Sequence, residues 1–273
     1  MLNCDLCPHR CALEEGETGF CRARTNKDGK IVANNYGRVT SLALDPIEKK
    51  PFARFHPGEQ ILSVGSYGCN LRCPFCQNHD ISMADETVDA AYFSPEFLIK
   101  TALSAVDDGN IGLAFTYNEP LISFEYVRDC ARLAKKHDLL VALVTNGMIL
   151  EDPLLSLLPY IDAMNIDLKG ATQSFYDIVK GDLETVKTTI AVAAFRCHVE
   201  ITTLIIPGLN DTEEEMEALS GWLASIDPAI PLHITRFFPR HQMKDKPPTP
   251  KETVERLRDV AAKKLRYVYT GNC

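Results

Sequence analysis

The chain lacks any apolar run near the length of a membrane span, and its opening Met1-Leu2-Asn3-Cys4 is not a secretory signal. Both absences lead to the expectation of a cytoplasmic protein with no membrane partner. It also lacks a basic surplus. Its 29 Lys and Arg stand against 37 Asp and Glu, a formal net charge of −8, which argues against nucleic acid as the main partner because phosphate binding needs a basic surface. There is no internal repeat and no low-complexity segment. The 273 residues suffice for one large domain, or one domain with a small appendage.

Cysteine, by contrast, is abundant. Ten cysteines in a short secreted chain would suggest a disulfide framework, but seven of these fall into two tight groups, which in a cytoplasmic chain points to metal. The second group, Cys69, Cys73 and Cys76, forms a C-x3-C-x2-C loop directly after the apolar run Ile61–Val64. Three thiolates can hold one soft metal centre. A closed cubane iron–sulfur site takes four cysteines, so three leave one iron free for a substrate or cofactor, as in the open coordination position of catalytic zinc. The competing reading is a structural Cys3His zinc knuckle completed by His79, the remote alternative being a non-enzymatic zinc protein. The first group, Cys4, Cys7, Cys11 and Cys21, has C-x2-C-x3-C-x9-C spacing. Four thiolates close a coordination sphere, so a second metal site is expected there, either zinc or iron–sulfur. Cys130 and Cys197 read as small buried hydrophobes.

Residues 1–59 are expected to form a cysteine-rich segment with a β-hairpin, Lys30–Asn35 against Arg38–Leu44 around Tyr36-Gly37. Pro46–Pro51 and His56–Gly58 read as loop. From residue 60 to 273, strand-like runs at Ile61–Val64, Ile111–Phe115, Leu139–Val144, Ile161–Ile166, Val199–Ile206, Leu232–Ile234 and Tyr267–Tyr269 alternate with helical segments. Ser94-Pro95 opens one helix, Asp211 with Glu214 caps another, and Thr249-Pro250 with Glu252 caps the last. Such alternation gives an α/β fold with a parallel sheet and right-handed crossovers. Six units are too few to close an eight-strand barrel, so a partial (β/α)6 barrel, half-open and TIM-like, is expected.

Chemistry in such sheets sits at the carboxyl ends of the strands. The cysteine loop follows the first of these strands, Thr116-Tyr-Asn-Glu-Pro120 the second and Thr145-Asn146-Gly147 the third, while Asp167-Leu-Lys169 ends the fourth and His233 with Arg236 the sixth. His198, Glu200 and Thr202 share one face of the fifth by their period of two, and that face is expected to line the cavity.

The C-x3-C-x2-C loop with Phe75 before its last cysteine resembles the signature of the radical S-adenosylmethionine (SAM) enzymes. Asn118-Glu119-Pro120 stands where that family has its Gly-Gly-Glu-Pro segment. Thr145-Asn146-Gly147, Asp167-x-Lys169 and Ile206–Asp211 resemble the glycyl-radical-enzyme activases, the pyruvate formate-lyase activating enzyme-like group. The fullest likeness is to the radical SAM members of AmmeMemoRadiSam systems, which share the N-terminal cysteines, Pro46–Pro51, Tyr117–Pro120, Arg236-Phe-Phe-Pro239 and Tyr267–Gly271. Longer members continue past that point into a cysteine-containing tail, and Cys273 is read either as the remnant of such a tail or as the end of a truncated chain. The resemblance implies an oxidoreductase carrying a [4Fe–4S] cluster on Cys69, Cys73 and Cys76, with SAM chelating the fourth iron. Reductive cleavage of SAM would give a 5′-deoxyadenosyl radical that takes hydrogen from a protein or small-molecule substrate. It implies reduced flavodoxin or ferredoxin as electron donor. Asn118, Glu119, Thr145, Asn146, Asp167 and Lys169, with Glu200 and His233, are the candidates for holding SAM, and His233, Arg236 and His241 for meeting a substrate. Glycyl-radical-enzyme activation is the alternative activity.

Overall fold

The computed structural model describes all of residues 1–273. Its centre is an eight-stranded sheet: β1 (Ser41–Pro46), β2 (Gln60–Gly65), β3 (Asn110–Phe115), β4 (Leu140–Thr145), β5 (Ala163–Asp167), β6 (His198–Ile205), β7 (Leu232–Arg236) and β8 (Val268–Gly271). The strands lie side by side in chain order from β1 to β8. Every pairing is parallel except β1 with β2. β1 and β8 remain edges, so the sheet does not close. This is the expected α/β half-barrel, and each of the seven sequence-read runs lies on a strand of it.

The crossovers are helical and carry their apolar residues toward the sheet. Pro95–Ser104 is capped by Ser94, whose hydroxyl accepts the Phe97 amide. Glu213–Ile226 starts one residue later than its pattern suggested: Thr212 rather than Asp211 accepts the Glu215 amide, and Met216, Leu219 and Leu223 are buried. Lys251–Ala261 has no side-chain cap; Thr249 instead donates to the Ile205 carbonyl at 2.6 Å, which ties the helix start to the end of β6. No helix is long and apolar enough to cross a membrane.

Residues 30–44 do not form the expected hairpin. Lys30–Ala33 pairs with Arg24–Lys27 instead, Arg38–Val39 pairs with Ala91–Tyr92, and Ser41–Pro46 joins the main sheet as β1. The position near residue 60 therefore falls between two strands of one sheet. A two-residue strand has too short a period to reveal its partner, and the Tyr36-Gly37 turn led to the wrong pairing.

The loop after β1 is also more than a connection. Phe52 is fully buried and joins Ile47, Phe55 and Ile61 against Ala114, Ala142 and Ala163 in a core cluster of its own. The three alanines stand abreast on β3, β4 and β5. Their missing side-chain volume on the inner face is what admits the phenylalanine, so residues 47–55 plug one end of the half-barrel.

Between β3 and β4 the approach is closest at Gly112, where a Cβ would lie 1.9 Å from the Leu140 carbonyl oxygen. That atom is backbone in a paired register and cannot move aside. Gly112→Ala is expected to destabilise the fold by roughly 2–4 kcal/mol through strain in the central sheet, read as a lower urea midpoint at unchanged slope.

Candidate active site

At the carboxyl ends of the strands lies a cavity of about 830 Å³, lined by Cys69, Cys73 and Cys76, by Thr116–Glu119, by Thr145 and Asn146, and by Asp167 and Lys169. Backbone geometry shapes its cysteine loop. Gly68 has φ +85°, and a Cβ there would lie 2.6 Å from the Cys21 carbonyl, so only glycine lets the N-terminal segment pack against the loop. The Cys69 amide donates to that carbonyl at 3.2 Å. Cys69 Sγ accepts the Leu71 amide at 3.3 Å and the Asn146 side chain at 3.6 Å. Arg72 binds the carbonyls of Cys69 and Leu71, both at 2.8 Å, and stacks over Phe20.

Burial pushes the Cys73 thiol up to about 12, Lys169 opposing it, and raises Cys69 still more clearly, with Glu119 adding to the effect. Burial raises Cys130 and Cys197 in the same way, so it is the placing of three thiols on one cavity that sets this group apart. Three cysteines and no fourth line this cavity. A Cys3His zinc knuckle would need His79 beside these three thiols. His79 does not line the cavity, and its ring packs at a tilt against His241 with ring centres 4.5 Å apart. The donor set fits a cluster with one open iron.

The second wall is held in a strained shape. Tyr117 has φ +74°, and the Asn118 amide donates to the Thr116 carbonyl across it, a tight γ-turn unfavourable for a bulky residue. This is where the radical SAM pattern places glycine. Here the turn is held by the Tyr117 hydroxyl on Asp45 at 2.9 Å, Lys50 at 3.2 Å, and the Asn78 side chain on the Tyr117 carbonyl at 2.8 Å. Tyr117 and its Asp45–Lys50 support are site residues that the sequence reading missed; a non-glycine where the pattern has glycine was the available signal.

The polar candidates divide by what their atoms already do. The Asn118 side chain accepts the Ser66 amide and donates to the carbonyls of Tyr67 and Gly68. Glu119 is buried and accepts the Leu121 amide, the Thr145 hydroxyl and the Asn146 amide at 2.7–2.9 Å. Burial lifts its carboxyl to about 7 against those three bonds. Asn146 binds Asn70 and the Met148 amide. These residues brace three strand ends against one another, and 116–119 line the cavity. Asp167 and Lys169 differ. Their ion pair, 2.7 Å long, is partly exposed in the cavity; burial acts to lower the Lys169 pKa, but Asp167 and the nearby thiols outweigh it and hold the ammonium charged.

Glu200 and His198 do not reach the cavity, although Thr202 and His233 do. Their shared face is the inner one, as the period of two predicts, but the plug occupies that end. Glu200, with a fully buried side chain, accepts the amides of Ala53 and Arg54 at 2.9 and 2.8 Å and meets His198 at 2.9 Å and His233 at 2.6 Å. It is thus a structural anchor, out of reach of a cofactor in the cavity. Arg236 points away, its Nε donating to the Thr249 carbonyl at 2.5 Å; neither it nor His241 lines the cavity. The N-terminal cysteines do come together: Cys4, Cys7, Cys11 and Cys21, all free, surround one small cavity with Leu6, Leu13, Ile122 and Arg24.

Residues 63–223 match the family model of the radical SAM superfamily. The uncharacterized protein MJ0808 of Methanocaldococcus jannaschii is 38% identical over 275 residues, which takes in 99% of this chain and 81% of that protein. The pyruvate formate-lyase 1-activating enzyme of Escherichia coli is 26% identical over 159 residues, covering 56% of this chain and 63% of that enzyme. Among solved structures, a domain of pyruvate-formate lyase-activating enzyme from Bacteroides vulgatus superposes with TM-score 0.51 at 20% identity, over 59% of this chain and 99% of that domain. QueE from Escherichia coli superposes with TM-score 0.51 at 12% identity, over 85% and 92%. At such identities the structures speak for the fold, an α/β half-barrel. The family match spans more than half of the chain and takes in the cysteine loop and most of the cavity rim: the chain belongs to the radical SAM superfamily.

Proposed function

We propose that Cys69, Cys73 and Cys76 hold a [4Fe–4S] cluster whose fourth iron binds SAM, and that the chain uses it to abstract hydrogen from a protein or small-molecule substrate. The observation that carries this reading is the convergence of three thiols, without a fourth, on one large cavity ringed by the four other polar segments. When bound, the cluster supplies the electron that cleaves SAM to methionine and the 5′-deoxyadenosyl radical. The chain's residues position and shield. The backbone of 116–119, fixed by Asn118 and Glu119, offers peptide groups to the SAM amino group. Asp167 would accept from the SAM amino group, and Lys169 would pair with its carboxylate or donate to its ribose. Thr202 and His233 line the inner wall, and the Phe52 plug keeps water from entering at the far end. Reduced flavodoxin or ferredoxin is the proposed electron donor.

On the substrate, the N-terminal cysteines and the AmmeMemoRadiSam likeness favour radical modification of a protein or small molecule. The similarity to a pyruvate formate-lyase activating enzyme supports the second reading, activation of a glycyl-radical enzyme. Anaerobically reconstituted protein, reduced and mixed with SAM, is expected to release 5′-deoxyadenosine and methionine, measured by liquid chromatography. An iron-loaded protein that releases neither, or a colourless protein holding only zinc, would sink the reading.

A further inference from the structure

A bulky residue held at positive φ needs a cause, because that conformation is costly for any side chain larger than hydrogen. Tyr117, at φ +74° in the segment that would meet the SAM amino group, has one in its own ring. The ring lines the cavity and runs back over the inner face of β2. Gly65 leaves it room, since a Cβ there would lie 2.8 Å from the ring. The hydroxyl ends at Asp45 on β1.

Asp45 is a hub. Its Oδ2 accepts from the Tyr117 hydroxyl and from Lys50 Nζ, both at 2.9 Å, and its Oδ1 accepts from Lys49 at 3.1 Å. Lys50 also donates to the Tyr117 oxygen at 3.2 Å and sits 4.5 Å over the ring. Burial acts against the Asp45 carboxylate, but Lys50, Tyr117 and Lys49 outweigh it and hold its pKa well below the ordinary range. The Lys50 side chain is only 4% exposed. A lysine buried this far is tolerated only where its charge and donors are met, and here they are met by Asp45 and Tyr117.

The same turn is fixed to the cysteine loop. Asn78, two residues past Cys76, donates to the Tyr117 carbonyl at 2.8 Å. The Asn118 side chain donates to the Gly68 carbonyl, next to Cys69, at 3.2 Å. Side chains therefore set where this backbone lies relative to the three thiols. Glycine at 117 would reach the same φ without strain but would leave the turn free to adopt others. A tyrosine anchored at its far end removes that freedom before any ligand arrives, and such preorganisation favours binding.

We propose that Tyr117, Asp45 and Lys50 are positioning residues for SAM: the anchored ring locks the 116–119 backbone in the shape and place that receive the SAM amino group. The role rests on the proposed function, because SAM is what the turn would receive.

Equilibrium SAM binding to the anaerobically reconstituted full chain, with the cluster kept oxidised so that SAM is not cleaved, is measured beside the urea midpoint and amide exchange at 118 and 119. Tyr117→Phe keeps the ring and the positive φ but loses the anchor. It is expected to weaken SAM binding roughly tenfold and to speed the exchange. Tyr117→Gly loses the anchor and the strain together, and its affinity should fall between those of Tyr117→Phe and wild type. A tyrosine acting by direct contact with SAM would give the reverse order, with glycine the weaker binder, and that order overturns the proposal. Wild-type affinity in Tyr117→Phe beside a lowered urea midpoint overturns it too, since the clamp would then serve the fold alone. Asp45→Asn should match Tyr117→Phe, yet change the affinity of Tyr117→Gly by less than about twofold, because the contact it breaks is already gone. Equal losses in both backgrounds would remove Asp45 from the clamp. Asp45→Asn can fail to fold, as it leaves Lys50 buried without its counter-charge; Tyr117→Phe keeps that pair and decides on its own. A wild type that binds no SAM refutes the proposed function and this role with it, whereas a wild type that binds SAM no better than Tyr117→Phe refutes this role alone.

Discussion

Cys73→Ala is expected to reduce 5′-deoxyadenosine formation to background while the protein remains folded, and Asn146→Ala to slow it by roughly 10–100-fold. Cys73 is the informative ligand to remove. Cys69 Sγ accepts the Leu71 amide and the Asn146 side chain, so its loss would disturb the loop as well as any cluster. Cys73 takes no such bond from another residue and is buried against the cavity. On the proposed ligand set, its removal would take one of three ligands from a centre already one short of closure, which should prevent a cluster from being retained. Asn146 acts one step outward: it orients Cys69, and through its amide it holds Glu119. Loss of such an outer contact weakens a metal site without abolishing it. The paired measurement is iron content beside 5′-deoxyadenosine yield, with circular dichroism as the check on folding. Wild-type yield from Cys73→Ala would refute the ligand assignment. Equal effects from the two variants would mean that Asn146 is itself part of the first coordination shell.

The contrast between these residues also shows what could be read from the sequence. Short apolar runs between helical segments identified every strand from β2 to β8, because a buried parallel strand carries its signal within itself. The rim segments were legible for the same reason: strand ends locate them. Their roles were not. Asn118, Glu119 and Asn146 have the composition of a binding site, but most of their hydrogen-bonding atoms are spent on one another and on neighbouring backbone. Which lone pair is spent depends on distances between strands far apart in sequence. The N-terminal pairings failed on a different ground. Arg38–Val39 finds its partner in Ala91–Tyr92, and two residues contain no period from which to infer that. The plug lay between these cases. Alanine at 114, 142 and 163 was a visible gap in three otherwise bulky strands, but only the register that sets them abreast shows that Phe52 fills it.

The largest expected effect on stability is at Glu200. The hydrogen bonds from His198, His233 and the amides of Ala53 and Arg54 outweigh burial and hold its carboxyl at about 2, against an ordinary value of 4.5. A carboxylate whose folded value lies below its unfolded one stabilises the fold fully above about pH 4.5, and the contribution is lost as pH falls toward 2. The shift corresponds to about 3 kcal/mol. Glu200→Gln should therefore lower the urea midpoint at neutral pH and flatten its dependence on pH between those limits. Glu200→Ala should cost more, roughly 3–5 kcal/mol, because two amides and two imidazoles then face a void. The consequence reaches the cavity. Ala53 and Arg54 belong to the plug, which is otherwise tied to the sheet by the Asn165 side chain on the Pro51 carbonyl at 2.8 Å, and Pro51, Phe52 and Ala53 form part of the cavity wall. Released from Glu200, that wall loosens, so weaker SAM binding should accompany the lost stability even though Glu200 does not reach the cavity. Equilibrium SAM binding to folded Glu200→Gln at neutral pH tests this. Wild-type affinity together with reduced stability would confine Glu200 to the fold, whereas weakened affinity would make the plug a part of the SAM site.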